Sequence, residues 1–434
     1  MKFLDELQQW DDKLCKMAKD HGLDWFELAY ETCDYYEMIG TMAYHGMPSH
    51  YGHWSFGKSF ERSHMMYNTG MQGLPYELII NSNPSLAYLM EENPMYLQVL
   101  IMAHCIGHSD FFKNNSTFKH THPENIILRM RNAKRYVESL TEDPSIGVDK
   151  VEAILDSAHA LSLNMPQRYT PYISQKEQKD QLVRDIKGGM YNNKIITPDP
   201  EQIPVKPEKN ILAFLADMSP NLEDWQRELI LIVEEEAHYF MPQIRTKVMN
   251  EGWASYWHYR LMHELELDSG MHIPFLKTHN EVVRPHPGSI NPYHLGFHMF
   301  RKIEERHGLE ECFIARESLN DESFLRQYLT QEDCEDLELF SFSLSKDEYK
   351  VDDVSDNQGW KNIREDLIKQ VGGNSIPIIE IDNIDESNVL CLIHEHDGRD
   401  LELDYADAVV HHISRLWGDV VKLDTIIEDE HFEI

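Results

Sequence analysis

Residues 85–107 form the very apolar segment SLAYLMEENPMYLQVLIMAHCIG. Apolar residues dominate this segment, so its burial in a protein core is expected. Because proline removes a backbone donor and clashes with the preceding turn, Pro94 predicts a break between two buried helices. The second of these helices carries His104 near its polar end.

Helices are predicted on both sides of this segment, so residues 1–345 are expected to form a mainly α-helical domain. The other predicted helices are residues 3–19, 25–39, 124–140, 148–163, 208–218, 222–241, 244–266 and 293–308. Two stretches are predicted to be irregular, namely residues 164–207, which are rich in Pro, Lys, Gln and Asn, and residues 270–293.

The composition changes near residue 345, where the acidic, turn-rich sequence SKDEYKVDDVSDNQGW begins. Two short β-branched runs follow, IPIIEIDNI at 376–384 and NVLCLIHEHD at 388–397, and then come a helical pattern and the strand VVKLDTII at 420–427. Residues 346–434 are therefore predicted to form a small α+β module. The fold class predicted for the whole chain is α+β, with a mainly α-helical N-terminal domain.

The charge balance excludes some classes of partner. The 434 residues include 75 acidic and 40 basic side chains, a formal net charge of −35, whereas nucleic acids and anionic membranes require a basic face. No run of 18 apolar residues occurs, and the acidic N-terminal segment lacks the apolar core of a signal peptide, so no membrane insertion is expected. The six scattered cysteines are expected to be reduced thiols. These features predict a cytoplasmic protein whose protein partners are unidentified.

Histidines are numerous and bunched, which points to a metal site. The chain has 24 of them, and neutral imidazole is the commonest metal ligand in proteins. His104 and His108 lie four residues apart on one face of a predicted helix, a spacing that suits two ligands of one metal. A hydrogen-bonded pair of core histidines is the alternative interpretation.

A second candidate motif lies at residues 233–258, VEEEAHYFMPQIRTKVMNEGWASYWH. Glu235 and Glu251 have apolar neighbours there, and a buried carboxylate is costly unless it is paired or bound to a metal. The pattern Asn-Glu-Gly-x-Ala resembles the third-ligand helix of thermolysin-like (gluzincin) metallopeptidases, which follows an H-E-x-x-H helix.

The gluzincin resemblance assigns roles to particular residues. Aligning residues 234–238 with H-E-x-x-H gives Glu235 as the general base, His238 as the second ligand and Glu251 as the third ligand. Glu234 replaces the first histidine of that motif. The pair His104 and His108 is therefore expected to supply the missing ligand.

Three other interpretations of these patterns remain open. The first is a polar network that clamps two buried helices without any metal. The second is a di-iron carboxylate bundle, since E-x-x-H occurs at 235–238 and at 61–64, and Glu92 and Glu251 would complete the set. The third is a phosphate-binding loop at residues 52–59, which satisfy G-x-x-x-x-G-K-[ST] but do not follow the buried strand that this loop requires.

Five blocks of sequence recur together in a known family. They are YHGMPSHYGHWSFGKSFERS, YELIINSNPSLAYLMEENPMYLQVLIMAHCIGHSDFFKNN, LEDWQRELILIVEEEAHYFMPQIRTKVMNEGWASYWH, INPYHLGFHMFRKIEE and DLELDYADAVVHHISRLWGDVVKL. In this order they resemble the stage V sporulation protein R (SpoVR-like) family, from about residue 30 to about residue 425. The resemblance implies an association with spore cortex formation, in a family that also occurs in bacteria that do not sporulate. The residues that match the family pattern are His104, His108, Glu235, Asn250 and Glu251, whereas His238 falls where the family often has an aromatic residue.

The leading functional hypothesis is a divalent-metal site, with zinc as the expected ion, in a SpoVR-like protein that hydrolyses amide bonds. The expected site residues are His104, His108, Glu251 and His238 as ligands, Glu235 as the general base for a metal-bound water, and Lys58 or Arg245 as the charge stabiliser. The expected substrate is a peptide or a cell-wall precursor. The alternative is a non-catalytic regulatory or scaffold protein of the sporulation or stress programme, in which these polar residues are buried for structure.

Overall fold

The computed structural model describes residues 2–68, 78–166, 169–191, 198–286, 289–345 and 348–434. The chain forms two compact units, and each unit is made of two separate stretches of chain. The first unit comprises Met1–Lys134 and Pro242–Ser375, and the second unit comprises Arg135–Met241 and Ile376–Ile434. The predicted fold class is confirmed, because helices dominate the described residues and the sheets are small.

The helices and strands follow one another along the chain in three stretches. Up to residue 142 they are α1 Lys2–Asp20, β1 Leu28–Cys33, α2 Tyr35–Ala43, α3 Trp54–Asn68, β2 Leu78–Ile80, β3 Ser85–Met90, α4 Met95–Asn114 and α5 Ile126–Glu142. The next are α6 Val148–Leu161, α7 Gln175–Lys187, α8 Ile211–Met218, α9 Asp224–Arg245, α10 Lys247–Glu264, α11 Ser269–Val282, α12 Pro292–His307, α13 Leu309–Ser318, α14 Asp321–Tyr328 and α15 Gln331–Asp336. The last are β4 Phe340–Ser345, β5 Glu348–Val354, α16 Gly359–Ile368, β6 Ile379–Ile384, β7 Leu390–His394, α17 Leu403–Trp417, β8 Val421–Ile427 and β9 Glu430–Glu433. No described helix offers the long apolar surface that a bilayer-spanning segment requires.

The segment 85–107 is a strand followed by a helix, so the prediction of two helices around Pro94 was wrong. Residues 85–90 form β3, which pairs in parallel with β1 and antiparallel with β2. Pro94 is the N-cap residue of α4, a position where its missing N–H is harmless. A short apolar run fits a strand and a buried helix equally well, and here the partner strand β1 lies in the segment 25–39 that was predicted to be helical.

Two segments predicted to be irregular contain helices, because capping residues begin them. In α7 the Ser174 side chain accepts a hydrogen bond from the backbone N–H of Glu177, and the helix buries little more than Leu182 and Gln175. In α11 the Asp268 side chain accepts from two backbone N–H groups of the first turn. A helix with so few buried apolar residues has a weak periodic signal in the sequence.

The first unit continues to Ser375, past the boundary predicted at residue 345. Leu367 and Ile368 at the end of α16 are buried in the same apolar core as Phe324 of α14. The acidic, turn-rich composition that suggested a boundary reflects the exposure of residues 351–358, most of which are solvent-exposed. The strands and helices of this segment are part of the first unit.

Helix α4 is the centre of the first unit, since every residue from Leu97 to Phe112 is buried. It crosses α10 at Gly107, where an added Cβ atom would lie 2.7 Å from the Cα atom of Ala254. Helix α10 in turn crosses α12 at Gly252, where an added Cβ would lie 2.4 Å from the Cα atom of Gly296. The three helices therefore approach to backbone contact, which side chains larger than hydrogen would prevent.

Asp321 of α14 fixes the start of α10. Its two carboxylate oxygens accept hydrogen bonds from the backbone N–H groups of Val248 and Met249, each at 2.9 Å. These donors belong to the first turn of α10, which has no partners within its own helix. Burial raises the pKa of Asp321 to about 7, although the two backbone donors act in the opposite direction.

The raised pKa predicts a pH-dependent stability that Asp321→Asn should remove. The folded pKa exceeds the unfolded value of about 3.9, so the contribution of Asp321 to the unfolding free energy is full below pH 4 and is lost as the pH rises through about 7. Between pH 5 and pH 7.5 the wild type should lose roughly 2–3 kcal/mol relative to Asp321→Asn in urea unfolding. Parallel pH profiles of the two proteins would contradict this expectation.

The second unit has a four-stranded sheet in the order β6-β7-β8-β9. Strand β7 pairs in parallel with β8 through the crossover helix α17, and the other two pairs are antiparallel. Trp417 at the end of α17 is buried and donates its indole N–H to the backbone oxygen of Asn388 at 2.9 Å. These elements agree with the strands and the helix predicted between residues 376 and 427.

Candidate metal centre

The crossing of α4 and α10 brings three side chains of the first unit to one point. His104 and His108 lie one turn apart on α4, and Glu251 faces them from α10. One ligand atom from each residue lies within 4.8 Å of the others, and no other group of three such residues forms among the residues that the structure describes. The Oε2 atom of Glu251 lies 3.7 Å from Nε2 of His104 and 3.4 Å from Nε2 of His108.

These separations fit a single metal ion. Two ligand atoms bound to one tetrahedral zinc at 2.0–2.1 Å are about 3.4 Å apart, which is close to both measured distances. The Oε2 atom of Glu251 is buried and accepts no hydrogen bond from the described residues. The side chain of Glu251 is 18% exposed, whereas that of His104 is 2% exposed.

The second nitrogen of His108 is held by α10. Its Nδ1 lies 2.9 Å from the side-chain oxygen Oδ1 of Asn250, a buried residue. An amide oxygen only accepts, so the Nδ1 of His108 carries the proton. The Nε2 of the neutral ring then presents a lone pair toward Glu251, the arrangement found in metal-binding histidines.

The charge of Glu251 is stabilised by the two imidazoles. Burial raises the pKa of Glu251, but attraction by His108 and His104 outweighs burial and holds the pKa below its usual range. An anionic oxygen and the Nε2 atoms of two rings converge on one point, where a cation would interact favourably with all three. The cation is either a proton on an imidazole or a metal ion.

The second nitrogen of His104 belongs to a chain of three buried rings. Its Nδ1 lies 2.7 Å from Nδ1 of His258. His258 follows Glu251 on α10 by seven residues, about two helical turns, and faces α4 as well. The Nε2 of His258 lies 2.8 Å from Nδ1 of His279 on α11. Burial and the neighbouring imidazoles lower the pKa of His258, and burial lowers the pKa of His279 to about 4, so both rings are neutral at pH 7.

A buried ion pair beside the group ties α4 to its neighbours. Asp110, two residues after His108, accepts a hydrogen bond from the indole N–H of Trp253 on α10 at 2.8 Å. The other carboxylate oxygen, Oδ1, accepts a hydrogen bond from the backbone N–H of Asp24. The Nε atom of Arg316 lies 3.4 Å from Oδ2 of Asp110, the oxygen that also accepts from Trp253. Burial raises the pKa of Asp110 to about 6. These contacts fix the relative positions of the two helices that carry the candidate ligands.

The other predicted site residues lie outside this three-residue group. His238 and Glu235 are on the part of α9 that belongs to the second unit, where Nε2 of His238 contacts Glu234 at 2.9 Å. Lys58 is an exposed residue of α3, and its ammonium lies 5.7 Å from the ring of Trp54. Arg245 is a buried residue at the end of α9, in the first unit. The catalytic roles assigned to these residues stay predictions.

The two histidine positions of H-E-x-x-H therefore match α4 better than α9. His104 and His108 occupy the two histidine positions, and Glu251 follows on a second helix as the third donor. The residue after the first histidine, which is the general-base glutamate in H-E-x-x-H proteins, is Cys105 here. A base for this group would have to come from another position.

The structure also bears on the two other motifs. Gly57, Lys58 and Ser59 of the phosphate-loop match lie inside helix α3, where their backbone N–H groups face along a helix and cannot surround a phosphate. The E-x-x-H pairs at 61–64 and 235–238 form no group of three ligands among the described residues. Neither a nucleotide loop nor a di-iron bundle is supported.

Sequence reasoning missed His258 and His279 as neighbours of the group. His258 follows Glu251 by seven residues, a spacing that places both on one face of a helix, so a signal for it existed. His279 lies in α11, which was predicted to be irregular, and no spacing rule connects it to α10. Asn250 precedes Glu251 and was singled out only through the family pattern.

The chain belongs to the SpoVR family. The family described as "SpoVR like protein" matches residues 2–376, and the "SpoVR-like C-terminal domain" matches residues 377–428. The resemblance inferred from the five sequence blocks is thereby confirmed. The chain is 33% identical over 470 residues to "Uncharacterized protein YcgB" of Escherichia coli (strain K12), a match that covers 96% of this chain and 91% of that protein. No solved structure matches the chain.

Proposed function

We propose that this SpoVR-family protein binds a divalent metal ion, zinc by preference, through His104, His108 and Glu251. The observation that carries the proposal is the separation of the ligand atoms, since Oε2 of Glu251 lies 3.4 and 3.7 Å from the two Nε2 atoms. Two histidines and one glutamate are the donor set of thermolysin-type catalytic zinc sites, which keep a fourth position for water or substrate.

The three ligands suit hydrolytic chemistry. A zinc ion in this position would act as a Lewis acid and lower the pKa of a coordinated water to about 7. Glu251 supplies a single negative charge, so the set leaves the site net positive and able to attract a carbonyl oxygen. Asn250 fixes the proton of His108 on Nδ1, so the lone pair of Nε2 can bind the metal without a change of tautomer.

The proposed reaction is hydrolysis of an amide bond in a peptide or a cell-wall precursor. The association with spore cortex formation that the family resemblance implies supports the choice of a cell-wall substrate. Lys58 or Arg245 is proposed as the group that stabilises negative charge on the substrate. Because Cys105 stands at the usual position of the base, a carboxylate from elsewhere in the chain is required for proton transfer.

Metal analysis of the purified protein tests the proposal. We expect about one zinc per chain, removed by a strong chelator and restored by added Zn²⁺, because a His₂Glu set binds one ion. The His104→Ala variant should lose the metal and stay folded. His294→Ala is the matched control, since His294 also belongs to an i, i+4 histidine pair but bonds through Nδ1 to the backbone oxygen of Val283.

Two results would contradict the proposal. A folded wild type that holds no metal would favour the non-catalytic scaffold function, in which the polar group is structural. Iron in place of zinc would assign the same two-histidine, one-carboxylate set to redox chemistry, because non-haem iron enzymes use this donor set as well.

A further inference from the structure

The chain of three rings, His104, His258 and His279, has only two neutral arrangements of its protons. Each N···N contact holds one hydrogen, and each neutral ring carries one N–H. In the first arrangement His104 donates from Nδ1 to His258, and His258 donates from Nε2 to His279. In the second arrangement both donations are reversed, and His104 carries its proton on Nε2.

Only the first arrangement leaves Nε2 of His104 as a lone pair directed at the metal position. In the second arrangement an N–H group points at Glu251, and the ring cannot coordinate an ion. In metal proteins a carboxylate or a carbonyl usually fixes the tautomer of a ligand histidine, whereas the Nδ1 of His104 lies 2.7 Å from the Nδ1 of His258. In this chain the partner is another imidazole, which accepts only when its own proton is on the far nitrogen.

We propose that His258 and His279 are positioning residues that hold His104 in its metal-binding tautomer. His258 accepts the Nδ1 proton of His104, and His279 supplies the acceptor that keeps the proton of His258 on Nε2. The inference rests on the proposed metal function of His104. It assigns to two residues outside the ligand set a role in metal affinity, at distances of 2.7 and 2.8 Å along the chain of rings.

The burial of the chain supports this role. The three residues are each at most 2% exposed, so water does not replace a lost ring partner as it would at the surface. The groups that face His279 include the rings of Tyr259, Phe297 and Phe275, which do not compete for its Nδ1. The Nδ1 of the other candidate ligand, His108, donates to the amide oxygen of Asn250. The protein therefore has an amide acceptor for one ligand ring and an imidazole acceptor for the other.

The test compares amide and imidazole acceptors through three substitutions of His258 in the full chain. In asparagine the side-chain oxygen takes the place of Nδ1, so His258→Asn keeps an acceptor for His104. In His258→Gln the amide is one carbon farther out and corresponds to Nε2, and His258→Leu has no acceptor. The dissociation constant for Zn²⁺ is measured by competition with a chromogenic chelator, and circular dichroism melting reports the fold.

We expect His258→Leu and His258→Gln to bind Zn²⁺ about 10–100-fold more weakly than the wild type, and His258→Asn to bind within about threefold of it. Nitrogen-15 shifts of the zinc-loaded wild type should place the proton of His258 on Nε2. A folded His258→Leu variant with wild-type affinity would overturn the inference, as would equal losses in the Asn and Leu variants, which would indicate a packing role.

The outcomes for the ligand set and for the positioning residues are separate. A wild type that binds no Zn²⁺ overturns the proposed function and this inference with it. A wild type that binds Zn²⁺ through His104, together with a His258→Leu variant of unchanged affinity, overturns only the positioning role.

Discussion

Gly252→Ala is expected to destabilise the first unit by at least about 3 kcal/mol, a large part of the roughly 5–15 kcal/mol by which a protein of ordinary stability stays folded. An added Cβ atom would lie 2.4 Å from both the Cα and the carbonyl carbon of Gly296. These contacts are with backbone, so no rotamer change relieves them, and α10 must move away from α12 by about 1 Å or more. The movement would carry the neighbouring Glu251 with it.

The matched control for this substitution is Gly57→Ala. Gly57 also lies inside a helix, α3, but an added Cβ would meet nothing within 4 Å. Alanine has a higher helix propensity, so this variant should gain about 0.5–1 kcal/mol. Urea unfolding followed by circular dichroism measures both effects. A Gly252→Ala variant as stable as the wild type would mean that the helices do not approach as closely as described.

The glycines explain why the candidate site depends on helix packing. Gly107 lies between His104 and His108 in the sequence and faces Ala254, three residues after Glu251. The close crossing at this point lets a glutamate on one helix reach two imidazoles on the other. The short spacing between these glycines and the candidate ligands is therefore a geometric requirement of the site.

The local features of the site could be predicted from the sequence, but its assembly could not. The i, i+4 spacing of His104 and His108 follows from helix geometry alone, and the apolar surroundings of Glu251 indicated a carboxylate with a partner. No periodicity shows which carboxylate meets which histidine pair, since the two segments are separated by more than 140 residues of chain. The motif H-E-x-x-H was assigned to α9 because residue types alone were compared. In the structure Glu234, at the first histidine position of that motif, contacts His238.

The fold shows the same division between local and long-range information. Helices α9 and α10 agree with the predicted segments 222–241 and 244–266 to within four residues, because long amphipathic patterns are reliable signals. Strand β1 was predicted as a helix, since its strand character depends on pairing with β3, which lies more than fifty residues later. Pairing between distant segments leaves little trace in either segment alone.

The second large effect is expected for Glu251→Gln, which should weaken zinc binding by at least about 100-fold, or nearly 3 kcal/mol. Glutamine keeps the shape of the side chain but removes the only negative charge among the three donors, and a neutral amide is a poor ligand for zinc. In the metal-free protein the same change removes a buried charge. Because the two imidazoles hold the pKa of Glu251 below its usual range, this charge stabilises the fold at neutral pH, and the unfolding temperature without metal should fall.

The comparison of metal affinity with stability separates a metal centre from a structural network. Glu264→Gln is the control, because Glu264 lies on the same helix and also pairs with a histidine, His21, at 2.8 Å, but is exposed at the surface. It should keep full zinc affinity, measured by chelator competition. If Glu251 only clamps two helices, Glu251→Gln will lower the melting temperature, but neither the wild type nor the variant will bind zinc.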